Sequence, residues 1–423
     1  MEETLHSIWE ATADNPPDAQ LPEGDYTANV LVVGAGFTGL SCALQLAKRG
    51  ASVIVVDAVR PGFGASGRNG GQVIPGLKYD PDILDQMYGE ATTEFVGNTA
   101  KTTFDLIEEH NISCAAQRTG WIQASVKNSH IPTLQSRMRQ WERRGAAVRM
   151  LDTASAQALS GSKRLVGGWL DERAGQLHPL NYVRGLARAA IDAGCILLAP
   201  ATVKSTKRVD GKWHASIKEV SSTVVKCDHI VVATNGYSGD LFPKLRRTVV
   251  PANSFQVATK PLSDEQLAVV LPKRMPVSDS RRIGNYFRIG PGGRLMIGGR
   301  GTFRDPTSAN DFRDLISQLH AFYPWTTSMP LEFFWHGKVA MTMDHLPHIH
   351  QPTKNVIMAV GYNGRGVALA TSMGKAIANH LLAPTNPLPL RFTDIKPMPF
   401  HDMHRTYATM AIWYYRLRDY LES

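Results

Sequence analysis

The sequence predicts an α/β protein in which a Rossmann-like nucleotide-binding domain is joined to a second domain with a mixed sheet. Three observations predict this fold class. A strand, glycine turn, helix and second strand fill residues 29–57, a similar unit lies near residue 360, and alternating polar and apolar segments occur between residues 249 and 296. The first two patterns are typical of parallel sheets, and the third is typical of a mixed sheet.

The first unit begins with the apolar run 30–33, which is typical of a strand buried on both faces. A GxGxxG motif follows at residues 34–39. Its glycines permit a tight turn, close approach of a pyrophosphate and close packing of the next helix. A second apolar strand, 53–56, ends at Asp57, which is placed to accept hydrogen bonds from a ribose. The complete unit indicates an ADP-containing dinucleotide and leaves NAD and FAD as alternatives.

Bulk composition excludes several classes of protein. The chain has 423 residues, enough for two domains, and 46 basic against 37 acidic residues give a net charge of +9. These charges are spread out, so we expect no nucleic-acid partner. No apolar run approaches the ~20 residues that a membrane span needs. No feature of the sequence indicates an oligomeric state.

The four cysteines, Cys42, Cys114, Cys195 and Cys227, form no CxxC pair. We therefore expect reduced and mostly buried thiols in a cytoplasmic protein, not a disulfide framework or a zinc site.

The remaining elements follow in chain order. Residues 1–28 are polar and contain three prolines, so we expect an arm without regular structure. The glycine-dense loop 61–76 lies between well-formed elements, and such loops are usually functional. Periodicity predicts helices over 82–112, 131–145, 181–193 and 311–322, and strands over 120–126, 196–198 and 227–234.

A second strand, glycine loop and helix unit occupies residues 355–382. An apolar stripe over 403–421 predicts a helix that packs on the body, with membrane-surface contact as the alternative. We expect an N-terminal arm (1–28), a discontinuous nucleotide-binding domain (29–85, 150–245 and 340–385), a substrate domain (86–149 and 246–339) and a C-terminal helical extension (386–423).

Four motifs together resemble the D-amino acid oxidase-like (DAO) family of FAD-dependent oxidoreductases, which includes γ-glutamylputrescine, pipecolate and sarcosine oxidases. They are VVGAGFTGL with Asp57, GASGRNGGQV, VVATNGYSG and VGYNGRGVALA. A plain NAD-dependent dehydrogenase has no need of the second and fourth. The resemblance implies a glutathione reductase type 2-like fold with a Rossmann-like FAD-binding domain.

The resemblance also assigns cofactor-binding residues. Gly34, Gly36, Phe37, Thr38, Gly39 and Asp57 would contact the ADP half of FAD; Ser66, Arg68, Asn69, Gly70, Gly71 and Gln72 would line the pyrophosphate and flavin; Val203 would pair with adenine; Thr234 and Asn235 would close over the cofactor; and Asn363, Gly364, Arg365, Gly366 and Val367 would direct N–H groups at the flavin C2 carbonyl. No Cys follows Cys227, and Arg68 stands where covalent members have His. FAD is therefore expected to be non-covalent.

The family oxidises a CH–N bond: a hydride passes to flavin N5 and the imine is hydrolysed. The protein need not supply a base, so we predict no certain catalytic residue. Arg288 is predicted to bind a substrate carboxylate, with Tyr286 on the same side of its strand; a surface ion pair is the alternative for Arg288. Two further residues are candidates near the flavin. Lys338 could favour oxygen activation, with a plain surface lysine as the alternative, and His345 could lie near the flavin edge. Histidine spacing at 345, 348 and 350 argues against a metal.

The second motif resembles γ-glutamylputrescine and pipecolate oxidases. The expected substrate is therefore a secondary or cyclic amino acid such as pipecolate, or a γ-glutamyl-polyamine, and the sequence does not separate the two. O2 or a quinone would accept the electrons. The alternatives are a quinone-linked D-amino acid dehydrogenase, a macromolecule-directed (tRNA-modifying) flavoenzyme and a non-catalytic flavin-binding module. No concentrated basic face supports the tRNA alternative, and the intact cofactor motifs argue against the non-catalytic one.

Overall fold

The computed structural model describes residues 5–219, 223–239 and 241–407, together with 409, 410, 414 and 418. The strands are β1 (Tyr26–Val33), β2 (Val53–Val56), β3 (Gln72–Val73), β4 (Trp121–Ser125), β5 (Val148–Leu151), β6 (Gly167–Asp171), β7 (Gly175–Gln176), β8 (Ile196–Leu198), β9 (Val203–Val209), β10 (Lys212–Ile217), β11 (Val224–Val232), β12 (Val250–Pro261), β13 (Val277–Asp279), β14 (Tyr286–Ile289), β15 (Arg294–Arg300), β16 (Leu331–Met341), β17 (His348–Thr353) and β18 (Val356–Val360). The helices are α1 (Ile8–Thr12), α2 (Phe37–Ala47), α3 (Ala65–Arg68), α4 (Pro81–Tyr88), α5 (Glu90–Gly97), α6 (Thr99–Glu109), α7 (Ile131–Glu142), α8 (Thr153–Ser160), α9 (Pro179–Asp192), α10 (Pro243–Arg246), α11 (Asp264–Val269), α12 (Arg313–Phe322) and α13 (Gly366–Leu382).

The first sheet has the strand order β17-β18-β11-β1-β2-β8, and the hairpin β9–β10 extends from β11. Strands β18, β11, β1, β2 and β8 are parallel. Both predicted strand–glycine–helix units lie in this sheet, because their apolar runs suit strands that are covered on both faces. The α/β prediction is therefore confirmed.

The second sheet has the order β16-β12-β15-β14-β13-β4-β6-β5. It is mixed: β13 and β4 are parallel, and the other described neighbours are antiparallel. Strand β6 lies in this sheet, although residues 150–245 were assigned to the nucleotide-binding domain. Its antiparallel register with β4, Gln123 opposite Trp169, places it there. The division into domains stays a prediction.

Three predicted elements differ in the structure. The helix predicted over 82–112 is three helices, α4 to α6. Gly89, with a φ of 88°, separates α4 from α5, and Asn98 separates α5 from α6. The N-terminal arm contains helix α1, capped by Ser7, and buries Trp9 completely. In the helix predicted over 403–421, most residues after 407 lie outside the described residues.

Helices α2 and α13 pack closely and bring the two glycine loops together. A Cβ on Gly374 would lie 2.3 Å from the Thr38 carbonyl oxygen, so only glycine permits this approach. The Ser41 hydroxyl donates to the Thr371 carbonyl across 2.7 Å, and the hydroxyls of Thr38 and Tyr362 are 2.7 Å apart. The first and fourth motifs are therefore neighbours in space.

All four cysteines are free and buried, as predicted. The cytoplasmic location that they suggested stays a prediction. Across the described ranges, no helix is long and apolar enough to cross a membrane.

Candidate active site

A cavity of about 370 Å³ lies between the two sheets. Of the predicted site residues, Gly36, Phe37, Thr38, Ser66, Arg68, Asn69, Gly70, Gln72, Asn235, Tyr286, Lys338, Asn363, Gly364, Arg365, Gly366 and Val367 line it. Gly34, Gly39, Asp57, Gly71, Val203, Thr234, Arg288 and His345 are not among its lining residues. Residues from all four motifs thus share one cavity, which the sequence alone did not show.

The first glycine turn leaves no room for larger side chains. Gly34 has a φ of 106°, and a Cβ on Gly39 would lie 2.0 Å from the Gly34 carbonyl oxygen. Asp57 supports the turn, because its Oδ2 accepts a hydrogen bond from the Ala35 N–H across 2.8 Å. Val203 begins β9, just after Ala201, whose N–H donates to the Asp57 carbonyl. Contacts of Asp57 with ribose and of Val203 with adenine stay predictions.

Side chains from distant parts of the chain hold the second motif. The Trp9 indole N–H donates to the Asn69 carbonyl across 2.9 Å. Gln256 and Trp335 both donate to the Arg68 carbonyl, at 2.6 and 3.1 Å. Within the loop, the Gly71 N–H donates to Asn69 Oδ1 across 2.8 Å. The protein's own side chains therefore hold this loop in place. No pattern in the sequence predicted the role of Trp9.

The third and fourth motifs are joined by amide side chains. Asn235 Oδ1 accepts from the Gly361 N–H across 2.9 Å, and Asn363 Oδ1 accepts from the Thr342 N–H across 2.9 Å. Asn363 has a φ of 50°, in the left-handed region that asparagine tolerates. Thr234 pairs its hydroxyl with that of Ser238 at 2.7 Å and lies at the strand end beside this junction.

Arg288 corrects one prediction. Its side chain is buried behind the second motif, where Nη1 donates to the carbonyls of Leu177, Gly71 and Gly70 at 2.7, 3.2 and 3.3 Å. Burial lowers its pKa to about 9, so the guanidinium is still charged at neutral pH. Arg288 and Tyr286 do lie on the same face of β14, as the strand alternation predicted. The glycine loop of the second motif covers Arg288, however, and the carbonyls around it accept the hydrogen bonds that Arg288 donates. Its described role is to hold that loop.

Tyr286 does line the cavity. Its ring lies against Gly70 and Gly298, where a Cβ would come within 2.6 and 2.1 Å of ring atoms. The hydroxyl is 2.8 Å from the hydroxyl of Ser254, and burial raises its pKa to about 12. Tyr286 is therefore a neutral hydrogen-bonding group in the cavity wall, and its contact with substrate stays a prediction.

The two candidates near the flavin are separated by the structure. Lys338 lines the cavity, and its Nζ is 3.2 Å from Asp305 Oδ2. His345 is exposed, has a φ of 56° and lies outside the cavity lining, because the turn after β16 carries it away. The described residues contain no cluster of three or more metal-ligating side chains, and His348 is paired with Asp344 at 2.9 Å.

The cavity fits a dinucleotide cofactor. The N-termini of α2 and α13 both reach it, through Gly36 and Gly366, and helix N-termini favour anionic groups. A Cβ on Gly36 would lie 2.9 Å from Ser66 Oγ, so glycine keeps this entrance open. These features suit a phosphate-containing ligand that runs along the backbone.

Comparison with known proteins identifies the family. A family model described as FAD dependent oxidoreductase (DAO) matches residues 29–380. The chain belongs to this family. It is therefore an FAD-dependent oxidoreductase, and the residues that line the cavity are those available to hold FAD.

Two curated relatives of this FAD-dependent oxidoreductase cover most of its length. The probable oxidoreductase OrdL of Haemophilus influenzae is 31% identical over 379 residues, which cover 87% of this chain and 85% of the relative. The γ-glutamylputrescine oxidoreductase of Escherichia coli is 29% identical over 434 residues, which cover all of both chains. The solved structure of glycine oxidase from Geobacillus kaustophilus has a TM-score of 0.73 at 19% identity, covers 87% of this chain and all of its own, and shows the fold.

The cavity wall also carries charged groups that the sequence did not predict. Lys78, Arg281 and Asp279 line the cavity with Trp121. Arg281 pairs with the buried Asp279 at 2.7 Å. Lys78 lies five residues after the end of the second motif, in NGGQVIPGLK, and this proximity was the available signal. Nothing local in the sequence marks Trp121 or Arg281.

Proposed function

We propose that this protein oxidises a CH–N bond of a small amine or amino acid. One observation carries the proposal: the cofactor motifs and a polar wall from the second sheet enclose the same cavity. Bound FAD supplies the acceptor for a hydride from the carbon beside a neutral amine, and the imine product is then hydrolysed. The name of the full-length relative, γ-glutamylputrescine oxidoreductase, supports this substrate class.

The chain's own residues would bind and orient both molecules. Backbone groups of the first, second and fourth motifs would hold FAD, and none of the cavity-lining residues in the described part is Cys or His. This composition supports a non-covalent cofactor. Tyr286 would donate or accept a hydrogen bond at the substrate, while its high pKa keeps it protonated. No side chain in the wall is assigned as an essential base.

Two substrate types remain in the proposal. A γ-glutamyl-polyamine presents a primary amine at the end of a long chain. A cyclic amino acid such as pipecolate carries its carboxylate next to the reacting carbon. Both are amines that contain a carboxylate.

The test is an anaerobic titration of the purified yellow protein. We expect γ-glutamylputrescine or L-pipecolate to bleach the flavin band, with sarcosine and D-amino acids as the comparison set. Admission of air would then distinguish O2 from a quinone as the acceptor. A yellow protein that no amine bleaches would contradict the proposal, and a protein that binds no FAD would contradict its basis.

Lys338 is our candidate for the step with oxygen. It lines the cavity, and its ion pair with Asp305 holds it beside the second and third motifs. We expect Lys338→Met to slow reoxidation by air and to leave the anaerobic reduction rate nearly unchanged. Equal loss in both half-reactions would instead indicate a role in substrate binding.

A further inference from the structure

Two cations in the cavity wall have neither an acidic partner nor a side-chain hydrogen bond among the described residues. Lys78 and Arg365 both line the cavity, and neither forms an ion pair with any residue that the structure describes. Nη1 of Arg365 is buried and has no hydrogen-bond partner among those residues. Lys78 is exposed to the cavity, whereas Arg365 is half-buried. A buried charged group in a protein is normally paired, because its dehydration is costly. The unpartnered Nη1 of Arg365 therefore needs an explanation.

Three other cations around the cavity form ion pairs with carboxylates. Arg281 is paired with Asp279 at 2.7 Å, and Lys338 with Asp305 at 3.2 Å. Arg137, a neighbour of both unpaired cations, is paired with Asp80 at 2.5 Å. Lys78 and Arg365 differ from these three in that no carboxylate of the described residues forms an ion pair with them.

The position of Arg365 is well defined. Its backbone precedes the first turn of α13, and its N–H donates to the Tyr362 carbonyl across 2.9 Å. Its guanidinium lies 5.1 Å from the centre of the Trp121 ring. Trp121 is itself held by a 3.0 Å hydrogen bond from its indole N–H to the Ser278 hydroxyl. The guanidinium thus extends from the cofactor side toward the second sheet.

The surroundings of the two cations are strongly positive. Burial lowers the pKa of Arg365 to about 10, and Arg137 adds repulsion that Asp171 only partly offsets. Asp171 is already paired with Arg173 at 2.6 Å. Enclosure by protein atoms, followed by Arg365, Arg137 and Arg300, lowers the pKa of Lys78 to about 8. An anion between the two side chains would relieve this repulsion.

We propose that Lys78 and Arg365 together bind a carboxylate of the substrate. The inference rests on the proposed function for the identity of the ligand, and it narrows the substrate class to amines that carry a carboxylate. Arg365 offers the planar donor pair that binds a carboxylate bidentately, and Lys78 adds a second positive charge. Simple polyamines, which carry only positive charge, would be repelled by this wall.

The test measures binding to the holoenzyme without turnover. Linear carboxylates from acetate to hexanoate are titrated into the yellow protein, each beside its neutral amide, and the flavin absorbance reports the dissociation constant. The wild type is expected to prefer the best carboxylate over its amide by about tenfold or more. Arg365→Met and Lys78→Met should each weaken carboxylate binding by about tenfold and change amide binding by less than about twofold.

Matched variants separate charge from folding. Arg365→Lys should retain part of the carboxylate preference, because it retains the charge. Lys101→Met removes an exposed lysine on α6, paired with Asp105, and should leave all constants unchanged. Thermal unfolding of each variant checks the fold. If Arg365→Met does not fold, the carboxylate and amide affinities of Lys78→Met decide the proposal.

The results that would overturn the proposal are specific. They are a wild type with no preference for any carboxylate over its amide, variants that keep the wild-type preference, or a folded Arg365→Met that no longer holds FAD. The last result would mean that Arg365 serves the cofactor. If the carboxylate preference is present but no amine bleaches the flavin, the anion site stands and the proposed reaction fails.

Discussion

The cofactor side of the cavity differs from the proposed substrate side, which carries Lys78 and Arg365, in how its polar groups are paired. On the cofactor side, polar side chains such as Asp57, Asn69 and Asn235 accept hydrogen bonds from the chain's own backbone. On the proposed substrate side, Lys78 and Arg365 have no acidic partner in the described part of the chain. The first side is therefore held by hydrogen bonds within the protein, whereas the second carries positive charge that the described residues leave unpaired. Under our proposal, shape selects the cofactor and charge selects the substrate.

The largest expected effect on ligand binding lies on the cofactor side. Gly39→Ala would place a Cβ 2.0 Å from the Gly34 carbonyl oxygen. Overpacking against backbone costs about 1–3 kcal/mol or more, so we expect FAD affinity to fall by at least about tenfold. Equilibrium binding of FAD to the apoprotein measures it. Gly239→Ala is the control and should bind FAD normally, because no atom of the described residues lies within 4 Å of the new Cβ. Normal binding by both variants would contradict the close-packed turn.

Trp9 tests whether the N-terminal arm belongs to the cofactor side. Trp9→Ala removes a fully buried ring, and we expect a loss of about 3–5 kcal/mol in the free energy of unfolding. Trp9→Phe keeps most of the ring but removes the hydrogen bond to Asn69, which should cost about 1 kcal/mol. Denaturant unfolding and FAD binding are measured together. Unchanged FAD affinity in both variants would show that the arm contributes to stability only.

His178 gives a pH test of the same region. Its ring lies 4.8 Å from that of Trp9, and its Nδ1 accepts from the Asn181 N–H. Burial, with Arg288 adding repulsion, lowers its pKa to about 4. The unfolded state therefore binds more protons below pH ~6.5, so stability falls as the pH drops from there to about 4, by about 3 kcal/mol in total. His178→Asn keeps a cap acceptor and should flatten this part of the profile. An equally steep profile in the variant would exclude His178 as the cause.

The smallest effect is expected on the substrate side, through Lys78. Because its pKa is about 8, it is charged below that pH and neutral above it. Carboxylate binding should weaken by about threefold between pH 7 and 9, while amide binding stays constant. Lys78→Met should remove this dependence. The charged and titratable groups near Lys78 are Arg365, Arg137, Arg300 and His345, and His345 titrates below this range because its pKa is lowered. A pH dependence that persists in Lys78→Met would assign it to another group.

Local patterns were sufficient for much of the fold. The apolar runs predicted β2 and β8 at their observed bounds, and the helical periods predicted α7, α9 and α13 within a few residues. The helix predicted over 82–112 was wrong in its continuity, because periodicity persisted across Gly89 while the backbone turned there. Such errors arise where one residue's conformation outweighs the pattern around it.

Side-chain roles depended on packing between distant segments. Strand alternation correctly placed Tyr286 and Arg288 on one face, but only the position of the second motif decided that Arg288 is covered and Tyr286 is not. The N-terminal arm was expected to lack regular structure, yet it contains helix α1, and Trp9 of this helix donates a hydrogen bond to Asn69 in the second motif. A single buried tryptophan has no periodic signature.

The sequence by itself determined the family, the cofactor class and the two glycine turns, because these depend on residues that are neighbours along the chain. Only the tertiary structure decided which charges remain unpaired. Lys78 and Arg365 are far apart in sequence, and each would be unremarkable in isolation. They share one cavity because α13 brings its N-terminus beside the second motif and the second sheet places Trp121 beneath Arg365. Motifs record local geometry, whereas the electrostatics of a site depend on contacts that folding creates.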